Sequence, residues 1–132
     1  MLDIRFLPKL WRHAVVPALQ RIDTSGFAHT PTANVVLLDR QLLHPLDRWY
    51  HVAMVYDGAE FRSYVNGVLQ GKASIHLEPQ GRGHSSIGVR INQVNYIKGS
   101  VRQARFSRRA LATTEFLKLP DRIVADQSGK IN

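Results

Sequence analysis

The stretch Trp49-Tyr-His-Val-Ala-Met-Val-Tyr-Asp-Gly-Ala-Glu-Phe-Arg-Ser-Tyr-Val-Asn-Gly67 decides the fold. Asp57-Gly58 and Asn66-Gly67 accept positive φ with little strain, so they suit hairpin turns. The residues ahead of each turn include Tyr, Val, Met and Phe, which fit a pleated, half-buried surface. The stretch predicts strands over Trp49–Tyr56 and Glu60–Val65, with a third over Val68–Ile75, joined as one antiparallel meander.

Outward from this centre the punctuation continues. Leu2, Ile4 and Phe6 alternate with Asp3 and Arg5, which predicts a strand over Leu2–Leu7 that Pro8 ends or marks as an edge. Ala14–Ile22 reads as a strand interrupted by Pro17. Leu10, Ala14, Ala18 and Ile22 also recur at helical spacing, a reading the proline weakens. Thr24–Thr32 reads as loop, Asn34–Leu38 as a short strand and Asp39–Asp47 as a connection. Pro79–Ser86 is a second loop, Ser86–Val89 and Val94–Ile97 are short strands, and Gly99–Ser107 is a long final strand. A single turn or short helix begins near Ala112, and Arg122–Ala125 has strand character. Many short strands with hardly any helix predict an all-β, jelly-roll-like antiparallel sandwich, with at most one short helix near the C-terminus. At 132 residues the chain fits one domain, long enough to bury a core without staples.

Composition narrows the chemistry. The chain is 44% hydrophobic and 21% charged, ordinary for a globular protein. It has no cysteine, which excludes disulfides, thiolate metal sites and thiol nucleophiles. No apolar run approaches the roughly 20 residues that span a bilayer, so no membrane insertion is expected. The N-terminus, with an acid at position 3 and no small-residue cleavage site, is not a signal peptide. It reads as an intracellular chain or a piece of a longer one.

The net charge is +8, and its placement says more than its size. Residues 79–120 hold Arg82, Arg90, Lys98, Arg102, Arg105, Arg108, Arg109 and Lys118 against one acid, Glu115, so +7 of the +8 lies there. A solvated basic face is one reading; a site for an anionic partner is the other. Thirteen arginines against five lysines favour forked recognition of sulfate, phosphate or carboxylate. The candidate ligand-binding residues are Arg82, Arg90, Arg102, Arg105, Arg108 and Arg109. Simple alternation sets Arg102 and Arg105 on opposite faces of the final strand, so the six do not form one site.

Two motifs carry a family resemblance. The first is Trp49-x-His51-Val52-Ala53-x-x-Tyr56-Asp57-Gly58 with Tyr64-Val65-Asn66-Gly67. The second is Gly99-x-Val101-x-x-Ala104-Arg105-Phe106-x-x-Arg109-Ala110-Leu111 with Glu115-Phe116 after it. Their order and spacing resemble the laminin-G-like, concanavalin A-like jelly-roll family. The resemblance implies two curved antiparallel sheets face to face, with glycan or protein ligands held at the rim or on the concave face, and an extracellular or cell-surface setting. Each motif residue also has a purely structural role open to it; His51 is expected as a hydrogen-bonded strand residue. Three departures stand out. The relatives' opening Phe-Asp-Gly strand is missing, so the chain is expected to begin at their second strand. Arg102 and Gln103 stand where relatives often carry an acidic pair. Ala112 takes the place of a Ser or Thr cap, with Thr113 positioned to cap one residue later.

Catalytic patterns are wanting. Hydrolytic relatives pair carboxylates on one strand, and neither Glu-x-Asp nor Glu-x-x-Glu occurs here; Glu60 and Glu78 stand alone in sequence. Gly81-Arg82-Gly83 is followed by no Lys-Ser/Thr, and the six histidines lack metal-ligand spacing. Asp23, Asp39, Asp47 and Asp57 match no transferable calcium pattern, so no cofactor or metal is expected. The chain therefore reads as a non-catalytic binding module for an anionic glycan or an acidic protein surface. A structural or assembly module is the alternative. Nucleic acid is the weaker third reading, resting on Tyr96 and Phe106 interleaved with arginines. A missing first strand would leave an unpaired sheet edge. The tail Asp121–Ile131 is expected to fill it, or a second copy to pair there as a homodimer.

Overall fold

Both turns of the deciding stretch form. Gly58 has φ 105, and Asn66 and Gly67 have φ 49 and 81, the two positive values of a type I′ hairpin. Asp57 fixes the first turn: its Oδ1 accepts the backbone N–H of Ala59 at 3.0 Å and of Glu60 at 2.8 Å. Asn66 extends the first hairpin by one step, donating its N–H to the His51 carbonyl at 2.8 Å and accepting the His51 N–H on its side-chain oxygen at 3.0 Å.

A computed structural model describes residues 2–8, 21–22, 26–37, 39, 41–78, 81–87, 92–93 and 99–122. The strands are β1 (Leu2–Pro8), β2 (Arg21–Ile22), β3 (Gly26–His29), β4 (Asn34–Leu37), β5 (His44–Pro45), β6 (Tyr50–Tyr56), β7 (Glu60–Val65), β8 (Val68–Ser74) and β9 (Gly99–Phe106), followed by a 3-10 turn at Thr113–Glu115. Five form one sheet in the order β8-β7-β6-β1-β9, while β2 pairs with β5 and β3 with β4. All pairings are antiparallel. The predicted meander, the long final strand and the short helical turn near Ala112 are all present.

The main sheet is covered on both faces, and alternation along β6 shows how. Ala53 and Val55 are buried with Phe116 on one face, with Tyr64, Ala110 and Leu111 packed around them. Met54 and Tyr56 belong to the other face, where Ala28, Phe61 and Ile75 are buried together with Val35, Leu37 and Leu77. The β3–β4 hairpin thus covers one face, and the chain after β9 covers the other. Gly71 permits the first contact: a Cβ there would stand 3.4 Å from the Leu37 Cβ, so the hairpin approaches β8 closely.

Several expectations are corrected. Gly26–His29, expected as loop, is a strand, because the Thr30–Ala33 turn closes it onto Asn34–Leu37; Thr30 N–H donates to the Ala33 carbonyl at 2.8 Å, and the Ala33 N–H donates to Thr30 Oγ1 at 2.8 Å. The connection 39–47 contains a two-residue bridge, His44–Pro45, onto Arg21–Ile22. β1 is an inner strand, paired to β6 on one side and β9 on the other, and the outer strands of the described sheet are β8 and β9. Arg122, expected to start a strand, is helical with Asp121; the rest of that tail lies outside the described residues. So do Val94–Ile97, Val89, most of the segment Leu10–Ile22, and Arg90.

Strict alternation also fails along β9. Gln103 pairs with Arg5, and Val101 pairs with Phe6, the very next residue of β1. Arg102 is the extra residue of a bulge, and parity is not conserved across it. Counting from Arg105 therefore does not assign Arg102 to the opposite face.

Candidate functional site

The chain leaves β9 through Ser107, bends at Arg108 and Arg109, and turns under the sheet at Ala110 and Leu111, where both pack on the Ala53–Val55–Phe116 cluster. This path is dictated by the sequence. Two arginines have no place in an apolar core, while the Ala-Leu pair and Phe116 have little reason to stay in water. The bend leaves a groove of about 550 Å³ lined by Arg105, Ser107, Arg108, Arg109, Leu111 and Glu115.

Three of the six sequence-predicted arginines meet here. Arg105 is half-buried, and its Nη2 donates to the Glu115 carbonyl at 2.7 Å, tying the 3-10 turn to β9. Arg109 closes a two-pronged pair with the Glu115 carboxylate: Nη1 donates to Oε2 at 3.1 Å and Nη2 to Oε1. Arg108 is exposed and makes no ion pair among the described residues. Arg82 lies on a separate exposed loop, and exposed Arg102 sits at the β9 bulge; neither lines the groove. Arg90 lies outside the described residues.

Glu115 organises the groove. Ala112 carries no side-chain acceptor, so only the reciprocal half of a capping box forms: Glu115 Oε2 accepts the Ala112 N–H at 2.9 Å. Thr113, expected as the cap, is inside the turn instead. The hydrogen bonds from Arg109 and from the Ala112 N–H bring the Glu115 carboxyl from its ordinary 4.5 down to about 2. Its folded value lies below its unfolded one. Its stabilising contribution is therefore complete above pH 4.5 and is lost as pH falls towards 2. We expect the protection of the Ala112–Phe116 amides, taken relative to the unstructured exchange rate at each pH, to fall across that interval in the wild type. A Glu115→Gln variant should lack the step, and an identical step in both would remove Glu115 as its source.

Sequence reasoning missed Ser107, Leu111 and Glu115 as lining residues. The signal for Glu115 was present: it is the one acid among eight cations, six residues after Arg109. Beyond the same turn a second cleft, of about 400 Å³, is lined by His51, Asn66, Thr113, Phe116, Leu117 and Lys118, among others. His51 is 3% exposed, with its ring 5.4 Å from that of Phe116.

Two of the described carboxylates, Asp57 and Glu60, are tied into an ion-pair network. Glu60, alone in sequence, meets Asp57 around Arg62: Arg62 Nε stands 3.3 Å from Glu60 and its Nη2 pairs with Asp57, while Lys72 lies 3.3 Å from Glu60. Backbone N–H groups of Glu60 and Ala59 hold the Asp57 carboxyl below its usual range. Glycoside cleavage needs one carboxyl that keeps its proton, and Asp57 and Glu115 are both shifted the other way. Among the described residues no cluster of three or more His, Asp or Glu is placed to hold a metal.

Residues 21–115 match the family model of the concanavalin A-like lectin/glucanases superfamily. The match takes in the meander, β9 and the groove arginines. No curated protein and no solved structure matches the chain.

Proposed function

The chain belongs to the concanavalin A-like lectin/glucanases superfamily, and from that premise we propose that it binds an anionic carbohydrate in the groove at the end of β9. Domains of this superfamily are often carbohydrate- or protein-binding modules and are generally non-catalytic, although glucanases also belong to it. One observation carries the reading: Arg105, Arg108 and Arg109 line a single open groove in which Glu115 is the one acid among the described lining residues. Among the described lining residues three guanidinium groups stand against one carboxylate, and Ser107 adds a hydroxyl. Forked donors of this type match sulfate and carboxylate geometry. Leu111 supplies an apolar patch for the face of a sugar ring.

Titration of the labelled protein with a sulfated disaccharide tests the site. Amide shifts are expected at Ser107–Leu111 and Glu115, with the 81–87 loop unmoved. Shifts centred on that loop, or none at all, would contradict the assignment. Preference for an acidic peptide or an oligonucleotide over the sulfated sugar would move the reading to those ligand classes.

A further inference from the structure

Glu115 fills the fork of Arg109 in the way a ligand carboxylate would. It is held there by the fold. Its Oε2 also accepts the Ala112 N–H at 2.9 Å, its carbonyl oxygen is tied to Arg105 at 2.7 Å, and Phe116, the next residue, is buried in the core. An intramolecular partner so placed competes at high effective concentration. An incoming ligand with one isolated carboxylate merely exchanges like for like on Arg109, and gains nothing that Glu115 did not already provide. A ligand with two anionic groups close together differs, because its second group reaches Arg108, which is exposed and without an ion pair among the described residues.

Resting on the groove as the anion site, we propose that Glu115 is its specificity-determining residue: a resident carboxylate that excludes singly charged ligands and reserves the groove for closely spaced polyanions such as multiply sulfated sugars. The selection works by competition for Arg109, with Arg108 supplying the surplus interaction that tips the exchange. Binding then loosens Glu115 from Arg109 and so couples the groove to the 3-10 turn.

The test compares a polysulfated disaccharide with a monosaccharide uronic acid by calorimetry, using the full chain as wild type and as Glu115→Gln. Glutamine keeps a weak neutral hydrogen bond and removes the competing charge. The wild type is expected to bind the polysulfated sugar and to prefer it strongly. E115Q should gain about tenfold or more for the uronic acid, the worth of one charge-assisted pair, and so narrow the preference. Should E115Q not fold, by circular dichroism, Glu115→Asp serves: its shorter arm cannot close the fork, and a smaller gain in the same direction is expected. An unchanged preference with intact binding of the polysulfated sugar overturns the role of Glu115 alone. Failure of wild type and variant alike to bind that sugar overturns the groove reading and this inference with it.

Discussion

Phe116→Ala is expected to destabilise the domain by about 3–5 kcal/mol, the usual loss for a buried phenylalanine truncated in a packed core. Phe116 is 6% exposed and lies against Ala53 and Val55. Its ring stands 5.3 Å from Tyr64 in an edge-on arrangement and 5.4 Å from His51. Ala53 and Val55 are small, and neither can reach across to refill the space, so a cavity would remain. A loss of this size is a large fraction of the roughly 5–15 kcal/mol that stabilises an ordinary domain. Phe116→Leu, which keeps most of the volume, should cost far less. Urea unfolding of the three proteins decides it. If Phe116→Ala shifts the midpoint no more than Phe116→Leu, the segment after β9 does not close this face of the sheet.

The second large effect concerns binding. Arg108→Glu is expected to weaken a sulfated disaccharide about tenfold or more, because a charge-assisted hydrogen bond is lost and a like charge faces the ligand. Arg108 suits this test better than its neighbours. Arg105 holds the Glu115 carbonyl and Arg109 holds the Glu115 carboxylate, so reversing either disturbs the turn as well as the groove. Arg108 lines the groove without such a bond among the described residues. Its reversal should leave the unfolding midpoint nearly unchanged, which separates loss of ligand from loss of fold.

Strands were legible wherever local chemistry and pairing agreed. Asn66-Gly67 specifies a type I′ turn on its own, and the Tyr, Val and Phe around it alternate cleanly, so β6, β7 and β8 follow from neighbours in sequence. Gly26–His29 was illegible because its partner is supplied by the Thr30–Ala33 turn, whose bonds involve a threonine hydroxyl rather than an Asn-Gly or Asp-Gly signal. The inner position of β1 depends on pairing with strands some fifty and a hundred residues away, which no local pattern encodes. The bulge beside Arg102 likewise arises from two-sided pairing.

The candidate site was legible as a charge excess but not as a constellation. The basic stretch gave Arg105, Arg108 and Arg109 together with Arg82, Arg90 and Arg102, and composition has no means of sorting them. What sorts them is the bend after β9 and the burial of Leu111 and Phe116. Those draw Glu115 back beneath Arg109, and a lone acid in a basic run becomes the organiser of a groove.

The most direct measurement is the affinity of the full chain for a sulfated disaccharide at low and high ionic strength, taken for the wild type, Arg108→Glu and Arg82→Glu. An electrostatic groove at the end of β9 predicts wild-type binding that weakens as salt screens the exposed charges, binding weakened about tenfold or more in Arg108→Glu, and wild-type affinity in Arg82→Glu. Affinity that ignores ionic strength, or that falls equally in both variants, would contradict the groove as the site of binding.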